Sequence, residues 1–230
     1  MPRVCVFDVN ETLLDLGSLD PQFERVFGDA SVRQAWFGQF LTSWLTAMVT
    51  GVYQEFGTIG GTALEMVAER QGVDLSDEDK QQILSGLQNL PPHPEVEENL
   101  GRLQDAGLRL AALTNSTQQV ADAQIDNSGL RGYFEQVLSA DAVQRLKPAP
   151  EPYRMAAESL GVGIGQVRLV AAHAWDVAGA IRAGCAAAFV ARPGMVLNPL
   201  FERPDVVGSD LREVADQILD VEVVKGGVSR

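Results

Sequence analysis

Four polar positions in this sequence have side chains that could together carry out nucleophilic chemistry on a small molecule. They are Asp8, the pair Thr114 and Asn115, Lys147 and Asp176. A lysine beside Asp8 would keep that carboxylate ionised, as a nucleophile requires, and Asp176 could orient or deprotonate a water for a second step. Each residue alone has a plainer interpretation as a turn residue, a helix cap or a surface charge. The combination favours chemistry because all four positions lie at or just past the ends of predicted strands.

An alternation of strands and helices places these positions. Short apolar runs with β-branched residues predict strands, and each strand is followed by a segment with helical periodicity. This pattern is typical of a parallel, doubly wound α/β sheet, in which ligands bind outside the carboxyl ends of the strands. The fold therefore gathers the four positions at one edge of the sheet. The predicted strands are 4–7, 108–113, 136–139, 167–172 and 186–190, with predicted helices at 95–106, 118–127 and 151–160.

The segment after the first strand has an all-helical pattern. Residues 31–50 place Trp36, Phe40 and Trp44 at three- and four-residue steps, which predicts a long helix with one apolar face. Aromatic residues at this spacing are typical of a helical core, and they also stand where a pocket over the sheet edge would be lined. Two shorter helices are predicted at 62–71 and 76–87.

The domain boundaries follow from the point at which strands give way to helices and then resume. A proline-rich hinge at 91–94 closes the helical block. The sequence therefore predicts an α/β core made of residues 1–16 and 93–230. Residues 17–92 are predicted to form a helical cap inserted into it.

Composition excludes several classes of partner. The formal net charge of −13 argues against a nucleic acid, although it leaves room for a small anionic substrate. No apolar run is long enough to span a bilayer, so no membrane partner is expected. Cys5 and Cys185 lack zinc-type spacing and are expected to be reduced core thiols in a cytoplasmic protein. Residues 1–3 lead directly into the first strand and leave no room for a signal peptide.

Four motifs carry a resemblance to a known family. The run DVNETLLD at 8–15 resembles the first motif of the haloacid dehalogenase superfamily, and 113–116, Lys147 with its following proline, and 171–180 resemble the other three. Order and spacing fit across nearly the whole chain. The Ala-Trp-Asp run in the fourth motif, and Tyr153 six residues after the lysine, are most similar to the L-2-haloacid dehalogenases. The resemblance implies a Rossmann-like core with an inserted helical cap.

The resemblance also implies an activity and a set of roles. It implies hydrolytic dehalogenation of short 2-haloalkanoic acids through an ester on Asp8, without a cofactor or metal, in an enzyme that pairs as a homodimer. Thr12 would hold the loop of the nucleophile, Lys147 would hold the carboxylates, and Asp176 would activate the hydrolytic water. The positions expected to contact or support the substrate are Asn10, Trp36, Phe37, Thr114, Asn115, Tyr153, His173 and Trp175.

Two departures separate the chain from the phosphatases of the superfamily. Those enzymes carry a second Asp two residues after the nucleophile, where this chain has Asn10, whose amide is no proton donor of that kind. They also hold magnesium with an acid at the position of Ala171. Both differences favour a halide as the leaving group. The alternatives are a magnesium-dependent small-molecule phosphatase and a catalytically weak relative kept for binding.

Other departures separate it from a standard dehalogenase. The family's glycine three residues after the nucleophile is Glu11 here, and His173 stands where the family has Asn. Dehalogenases place an arginine near the start of the long cap helix, where this chain has Trp36 or Phe37, the residues then expected to line a halide pocket. Arg33, one turn away, either substitutes for that arginine or is a solvated charge on the helix face. His173 has either a functional role or an ordinary structural one.

Overall fold

A six-stranded parallel sheet forms the centre of the fold in the computed structural model, which describes residues 4–224. The strand order is β3-β2-β1-β4-β5-β6, so the predicted doubly wound α/β sheet is confirmed. The expectation about a leader at residues 1–3 lies outside the described residues. The strands are β1 Val4–Phe7, β2 Leu110–Thr114, β3 Gln136–Ser139, β4 Val167–Ala171, β5 Ala186–Val190 and β6 Val206–Gly208.

Strand β1 is central and buried along its whole length. Phe7 pairs with Ala112 of β2 on one side and with Val170 of β4 on the other. Because all three strands run in the same direction, their carboxyl ends meet at one edge of the sheet. Asp8, which directly follows β1, is therefore at the middle of that edge.

Helices cover both faces of the sheet, which explains why its strands are apolar on both sides. Strand β6 and the last helix were not predicted: β6 has only three residues, and it is separated from β5 by a long loop. The helices that flank the sheet are α5 Val96–Asp105, α6 Gln118–Asn127, α7 Pro150–Ser159, α8 Ala174–Ala183 and α9 Leu211–Leu219, numbered after the four that precede them.

The four helices between β1 and the proline-rich hinge at 91–94 pack on one another. The third begins at Phe56, whereas the sequence predicted a start at residue 62. The difference arises because its first turns contain glycines, which have low helix propensity. One of them, Gly60, has a structural purpose, since an added Cβ would lie 3.0 Å from the Phe40 ring. These helices are α1 Asp20–Phe27, α2 Val32–Thr50, α3 Phe56–Gln71 and α4 Asp77–Gly86.

An aromatic cluster joins α2 to α3. The ring of Phe56 lies 4.3 Å from that of Phe40 and 5.3 Å from that of Trp44. Trp36 is fully buried and donates its indole N–H to the Gly60 carbonyl at 2.9 Å. The apolar face predicted for α2 is thus the surface that α3 covers.

Cys5 and Cys185 are both buried and unbridged. Burial raises the pKa of the Cys185 thiol to about 12, so this thiol is unreactive at neutral pH. Across residues 4–224, no helix combines the length and the apolar character that crossing a membrane demands.

Candidate active site

The loop after β1 holds Asp8 in a fixed orientation. Asp8 is buried, and its backbone N–H donates to the Val170 carbonyl at 3.0 Å. The Thr12 hydroxyl donates to Asp8 Oδ2 at 2.6 Å and accepts from the Ala172 N–H at 2.9 Å. Arg192 Nη2 donates a further hydrogen bond to the Thr12 carbonyl at 2.9 Å. Thr12 therefore ties the loop to the end of β4, and Arg192 is a supporting residue that the sequence did not single out.

Lys147 lies between the two carboxylates. Its buried ammonium donates to Asp8 Oδ1 at 2.8 Å, to Asp176 Oδ2 at 2.6 Å and to the Leu113 carbonyl at 3.0 Å, which uses all three of its protons. Burial lowers the pKa of Lys147, but the two carboxylates outweigh it and the pKa lies above its ordinary value. For Asp8 the effect of burial is the opposite, since burial raises the pKa of a carboxyl group. The charge of Lys147 outweighs burial, so the pKa of Asp8 lies below its ordinary value. Asp8 is therefore ionised at neutral pH.

Asp176 differs from Asp8 in its acidity. Burial, together with the charge of Asp8, raises the pKa of Asp176 to about 6 against the opposing effect of Lys147. Tyr153 donates its hydroxyl to Asp176 Oδ1 at 2.5 Å, and burial raises the pKa of that phenol well above 10.0, so it remains a donor. The Asp176 carboxyl is thus held in place with a pKa suited to accepting a proton near neutral pH.

Gly179 permits this arrangement. A Cβ added at Gly179 in α8 would lie 2.5 Å from Pro148 Cβ and 2.8 Å from the Tyr153 hydroxyl. Both distances are below any normal van der Waals contact. The glycine in the fourth motif is therefore needed for α8 to approach the Lys147 loop closely.

The loop after β2 supports Lys147. Asn115 Oδ1 accepts from the Lys147 N–H at 2.7 Å, and Asn115 Nδ2 donates to the Lys147 carbonyl at 3.2 Å. Asn115 thus fixes the backbone of the lysine loop while also lining the space above Asp8. Thr114 lines the same space, and its hydroxyl accepts from the Ser116 N–H at 3.3 Å.

A small cavity of about 20 Å³ lies directly above Asp8. Most of the residues expected to contact the substrate line it, together with Trp44 and Phe56, which the sequence placed only within the helical block. A larger, mainly apolar cavity of about 370 Å³ adjoins it and shares Asn10, Phe37 and Phe56 with it. Trp36 lines only the larger cavity. The small cavity is lined by Asp8, Asn10, Phe37, Trp44, Phe56, Thr114, Asn115, His173 and Trp175.

His173 is packed between two aromatic rings. Its imidazole lies 5.6 Å from the Phe37 ring and 5.0 Å from the Trp175 ring, with interplanar angles of 19° and 18°. Burial lowers the pKa of His173, so the ring is neutral at pH 7. Its Nε2 faces the Glu11 carboxylate at 3.5 Å. Glu11 adopts a φ of 60°, in the left-handed region that favours glycine.

The interpretation of Arg33 as a solvated charge is wrong. Its side chain is only 12% exposed, and its Nε donates to Asp20 Oδ1 at 2.5 Å while Nη1 lies 3.8 Å from Glu11 Oε1. Neither cavity is lined by Arg33. Arg33 therefore faces two carboxyl groups, that of Asp20 at the start of α1 and that of Glu11 on the loop after β1.

The carboxylates of Asp8 and Asp176 already have a cationic partner. The Lys147 ammonium lies between them and donates to one oxygen of each. Asn10 Oδ1 accepts from Gln124 Nε2 at 2.8 Å, so this amide oxygen already has a partner. Within residues 4–224, no three His, Cys, Asp or Glu side chains are grouped as metal ligands would be.

Comparison with known proteins identifies similar chains. The model of the haloacid dehalogenase-like hydrolase family matches residues 2–184. The (S)-2-haloacid dehalogenase of Pseudomonas sp. strain YL is 30% identical over 213 residues, covering 91% of each chain. Haloacetate dehalogenase H-2 of Moraxella sp. strain B is 29% identical, over 86% of this chain and 90% of its own. The structure of L-2-haloacid dehalogenase from Xanthobacter autotrophicus with chloropropionic acid covalently bound superposes with a TM-score of 0.87 at 27% identity, over 97% of this chain and 99% of that one.

Proposed function

The chain belongs to the haloacid dehalogenase-like hydrolase family, and from that premise we propose that it hydrolyses the carbon–halogen bond of short 2-haloalkanoic acids through an ester on Asp8. One observation carries the proposal. The buried ammonium of Lys147 lies 2.8 Å from Asp8 and 2.6 Å from Asp176, and its charge keeps Asp8 ionised, whereas burial raises the pKa of Asp176 to about 6. Two carboxylates of different acidity suit two successive steps.

In the first step, Asp8 is the nucleophile. A lone pair of one carboxylate oxygen attacks the carbon that bears the halogen, and the electrons of the carbon–halogen bond leave with the halide. Thr12 and Lys147 each donate to one oxygen of Asp8 and so fix its direction of attack. No proton is transferred, which agrees with Asn10 at the position where phosphatases have an acid.

In the second step, water attacks the carboxyl carbon of the Asp8 ester. Asp176 accepts the proton of this water, and the bond breaks between the carboxyl carbon and the oxygen that joins it to the substrate carbon. This departing oxygen, which came from Asp8, takes up the proton from Asp176 to give the hydroxy acid. Lys147 stabilises the negative charge that develops on the carboxyl oxygens, and Tyr153 keeps Asp176 oriented.

The remaining assignments are proposals of the same kind. We assign substrate contact to the lining of the two cavities, with Phe37 shared between them and Trp36 on the larger one. The core of 1–16 and 93–230 and the cap of 17–92 remain our proposed domains. A homodimer follows from the resemblance, the unbridged cysteines support a cytoplasmic location, and the net charge of −13 disfavours nucleic acid.

A panel of substrates tests the function. Halide release from 2-chloro- and 2-bromopropionate should be measured beside hydrolysis of 4-nitrophenyl phosphate, each with and without EDTA. We expect halide release that EDTA leaves unchanged. Magnesium-dependent phosphate release would favour a phosphatase. Turnover of neither class would favour the binding relative, for which the engagement of Arg33 by Asp20 and Glu11 is the supporting observation.

A further inference from the structure

Gln124 lies on α6, outside the four motifs of the sequence, and its side chain is fully buried. We propose that it is a positioning residue: it turns the Asn10 side chain so that the amide N–H groups, and not the amide oxygen, face the substrate. This orientation makes the site prefer a carboxylate over a carboxamide next to the carbon that bears the halogen. The inference rests on the proposed function, because it concerns the choice among substrates of that reaction.

The orientation of both amides follows from one backbone carbonyl. The Leu87 carbonyl can only accept a hydrogen bond, so the Gln124 atom that lies 2.7 Å from it is the donor Nε2. The same Nε2 has a second proton, and the Asn10 atom 2.8 Å away must then be the acceptor Oδ1. Asn10 Nδ2 therefore lies on the side of its amide that is turned away from Gln124.

The amide nitrogen of Asn10 is left free for a ligand. Nδ2 has no hydrogen-bond partner among residues 4–224, and it is accessible, unlike Gln124 Oε1, which is buried. Asn10 is half-buried and lines both cavities, of which the larger, at about 370 Å³, has room for a carboxylate. An accessible donor at this junction suits an acceptor group on a substrate whose reacting carbon lies above Asp8.

A neutral donor is what the two cavities offer to a carboxylate. Among the described residues, neither cavity is lined by a lysine or an arginine. Lys147 uses all three of its protons on protein oxygens, and the imidazole of His173 is neutral because burial lowers its pKa. A carboxylate only accepts hydrogen bonds, whereas a carboxamide also donates them, so the atom that Asn10 presents decides between the two.

Packing alone does not account for a glutamine at position 124. Its Oε1 is buried and has no partner within residues 4–224, which is unfavourable because the lost hydration of this acceptor is not replaced. A leucine of similar size would carry no unpaired acceptor. What the glutamine adds is the pair of bonds from Nε2, which join Asn10 to the backbone that follows α4.

The first experiment compares 2-bromopropionate with 2-bromopropionamide, which differ at the group that Asn10 would contact. Bromide release gives kcat/KM for both. Gln124→Glu offers a carboxylate to Asn10, so the Asn10 amide should turn and present its oxygen to the substrate. We expect the acid-to-amide ratio of kcat/KM to fall about tenfold or more. Gln124→Leu lets Asn10 take either orientation and should lower the ratio by about two- to tenfold.

A double-mutant cycle separates the turned amide from the added charge. In an Asn10→Ala background, neither substitution of Gln124 should change the acid-to-amide ratio, because no amide remains to be turned. A fall that persists in this background would mean that Gln124 or the new charge acts on the substrate by another route, and it would overturn the positioning role.

Gln118 provides the matched control on the same helix. Its Nε2 donates to the Val137 carbonyl at 2.9 Å, and it lines neither cavity. Gln118→Leu should therefore leave the acid-to-amide ratio unchanged.

The side-chain amide ¹H–¹⁵N signals, assigned from the backbone, test the orientation without turnover. We expect both protons of Gln124 Nε2 to be protected from exchange with solvent and those of Asn10 Nδ2 to exchange readily. Propionate, which has no halogen to lose, should shift the Asn10 signal with saturation and leave that of Gln118 in place. Should the Gln124 variants fail to fold, these signals and the ratio in Asn10→Ala, which should fall about tenfold, decide.

The outcomes are distinct. Equal ratios in the unmodified protein and in Gln124→Glu would overturn the positioning role in an enzyme that does release bromide. An Asn10 signal that does not respond to propionate would overturn it as well. Bromide release from neither substrate would overturn the proposed function instead, whereas protected Gln124 protons and an Asn10 response to propionate would still support the orientation.

Discussion

His173 Nε2 lies 3.5 Å from Glu11 Oε2, so the two residues that depart from the motifs expected from the resemblance are neighbours in space. The imidazole is neutral because burial lowers its pKa, and burial raises the pKa of Glu11 to about 7. The imidazole itself is stacked against the rings of Phe37 and Trp175. At neutral pH, part of the Glu11 population therefore carries a proton beside the site.

The raised pKa of Glu11 makes the stability of the protein depend on pH. The pKa of Glu11 rises from 4.5 to about 7 on folding, so deprotonation in the folded state is unfavourable. The contribution of Glu11 to stability is fullest below pH 4.5 and is lost as the pH rises through about 7. We expect Glu11→Gln to be neutral at about pH 4.5 and to stabilise the protein by about 3 kcal/mol at about pH 8.5. Urea unfolding of both proteins across this range measures the difference, and an equal dependence on pH in both would contradict it.

The acidity of Asp176 governs the second chemical step. Its carboxyl must be ionised to accept a proton from water, and its pKa of about 6 in the free enzyme is raised in part by the charge of Asp8. Because the ester removes that charge, we expect the rate of ester hydrolysis to fall below a pKa at or under about 6. Rapid mixing of excess enzyme with 2-bromopropionate, followed by quenching at several pH values, measures that rate. A rate that rises toward acid would exclude Asp176 as the base.

Gly179 offers a test of close packing with a matched control. We expect Gly179→Ala to destabilise the protein by about 1–3 kcal/mol, because its Cβ would press on Pro148 and the Tyr153 hydroxyl. Gly38 lies in α2 with no atom near the corresponding Cβ position, so Gly38→Ala should stabilise by about 0.5–1 kcal/mol. Thermal unfolding of the two variants distinguishes them. Equal effects would mean that α8 moves without penalty.

Features that depend on neighbouring residues in the sequence were predictable, whereas contacts between residues far apart in the sequence were not. The strand pattern and the motifs placed Asp8, Lys147 and Asp176 at one edge, because carboxyl ends of parallel strands meet there. The role of Asn115 in holding the lysine backbone was not visible, since it depends on a contact across 32 residues. The pairing of Glu11 with His173 was hidden for the same reason. Side-chain direction on a long apolar helix is equally undetermined by its spacing, so the sequence predicted Trp36 and Phe37 for a pocket but not Trp44, which lines the small cavity as well.

Helix α2 gives a prediction about selectivity. Phe37 lines both cavities and is half-buried, whereas Trp36 is fully buried and its N–H is bonded to Gly60. We expect Phe37→Ala to change the ratio of kcat/KM for 2-bromo- and 2-chloropropionate and to destabilise the protein less than Trp36→Ala does. Trp36→Ala should instead destabilise the protein by about 3–5 kcal/mol. Uniform loss of activity on every substrate in Phe37→Ala would mark that ring as packing only.

Oxygen tracing tests the covalent mechanism directly. If Asp8 attacks carbon and water then attacks the carboxyl group of the ester, the oxygen delivered to the product comes from Asp8. A single turnover with enzyme in excess in ¹⁸O-labelled water should therefore place the label in Asp8 and leave the hydroxy acid unlabelled. Direct attack of an activated water on the substrate carbon predicts the opposite, and label in the first product would exclude the ester route.

Asp176→Asn separates the two steps, which Asp8→Asn cannot do because it removes activity under either mechanism. The amide that replaces the carboxylate keeps its size beside Lys147 and Tyr153 but cannot accept the proton of the attacking water. We expect one equivalent of halide per enzyme, followed by hydrolysis slowed about a hundredfold or more. Mass spectrometry of the peptide that contains Asp8 should then show the added carboxyalkyl group of the substrate. Halide release without that mass increase would mean that no ester forms.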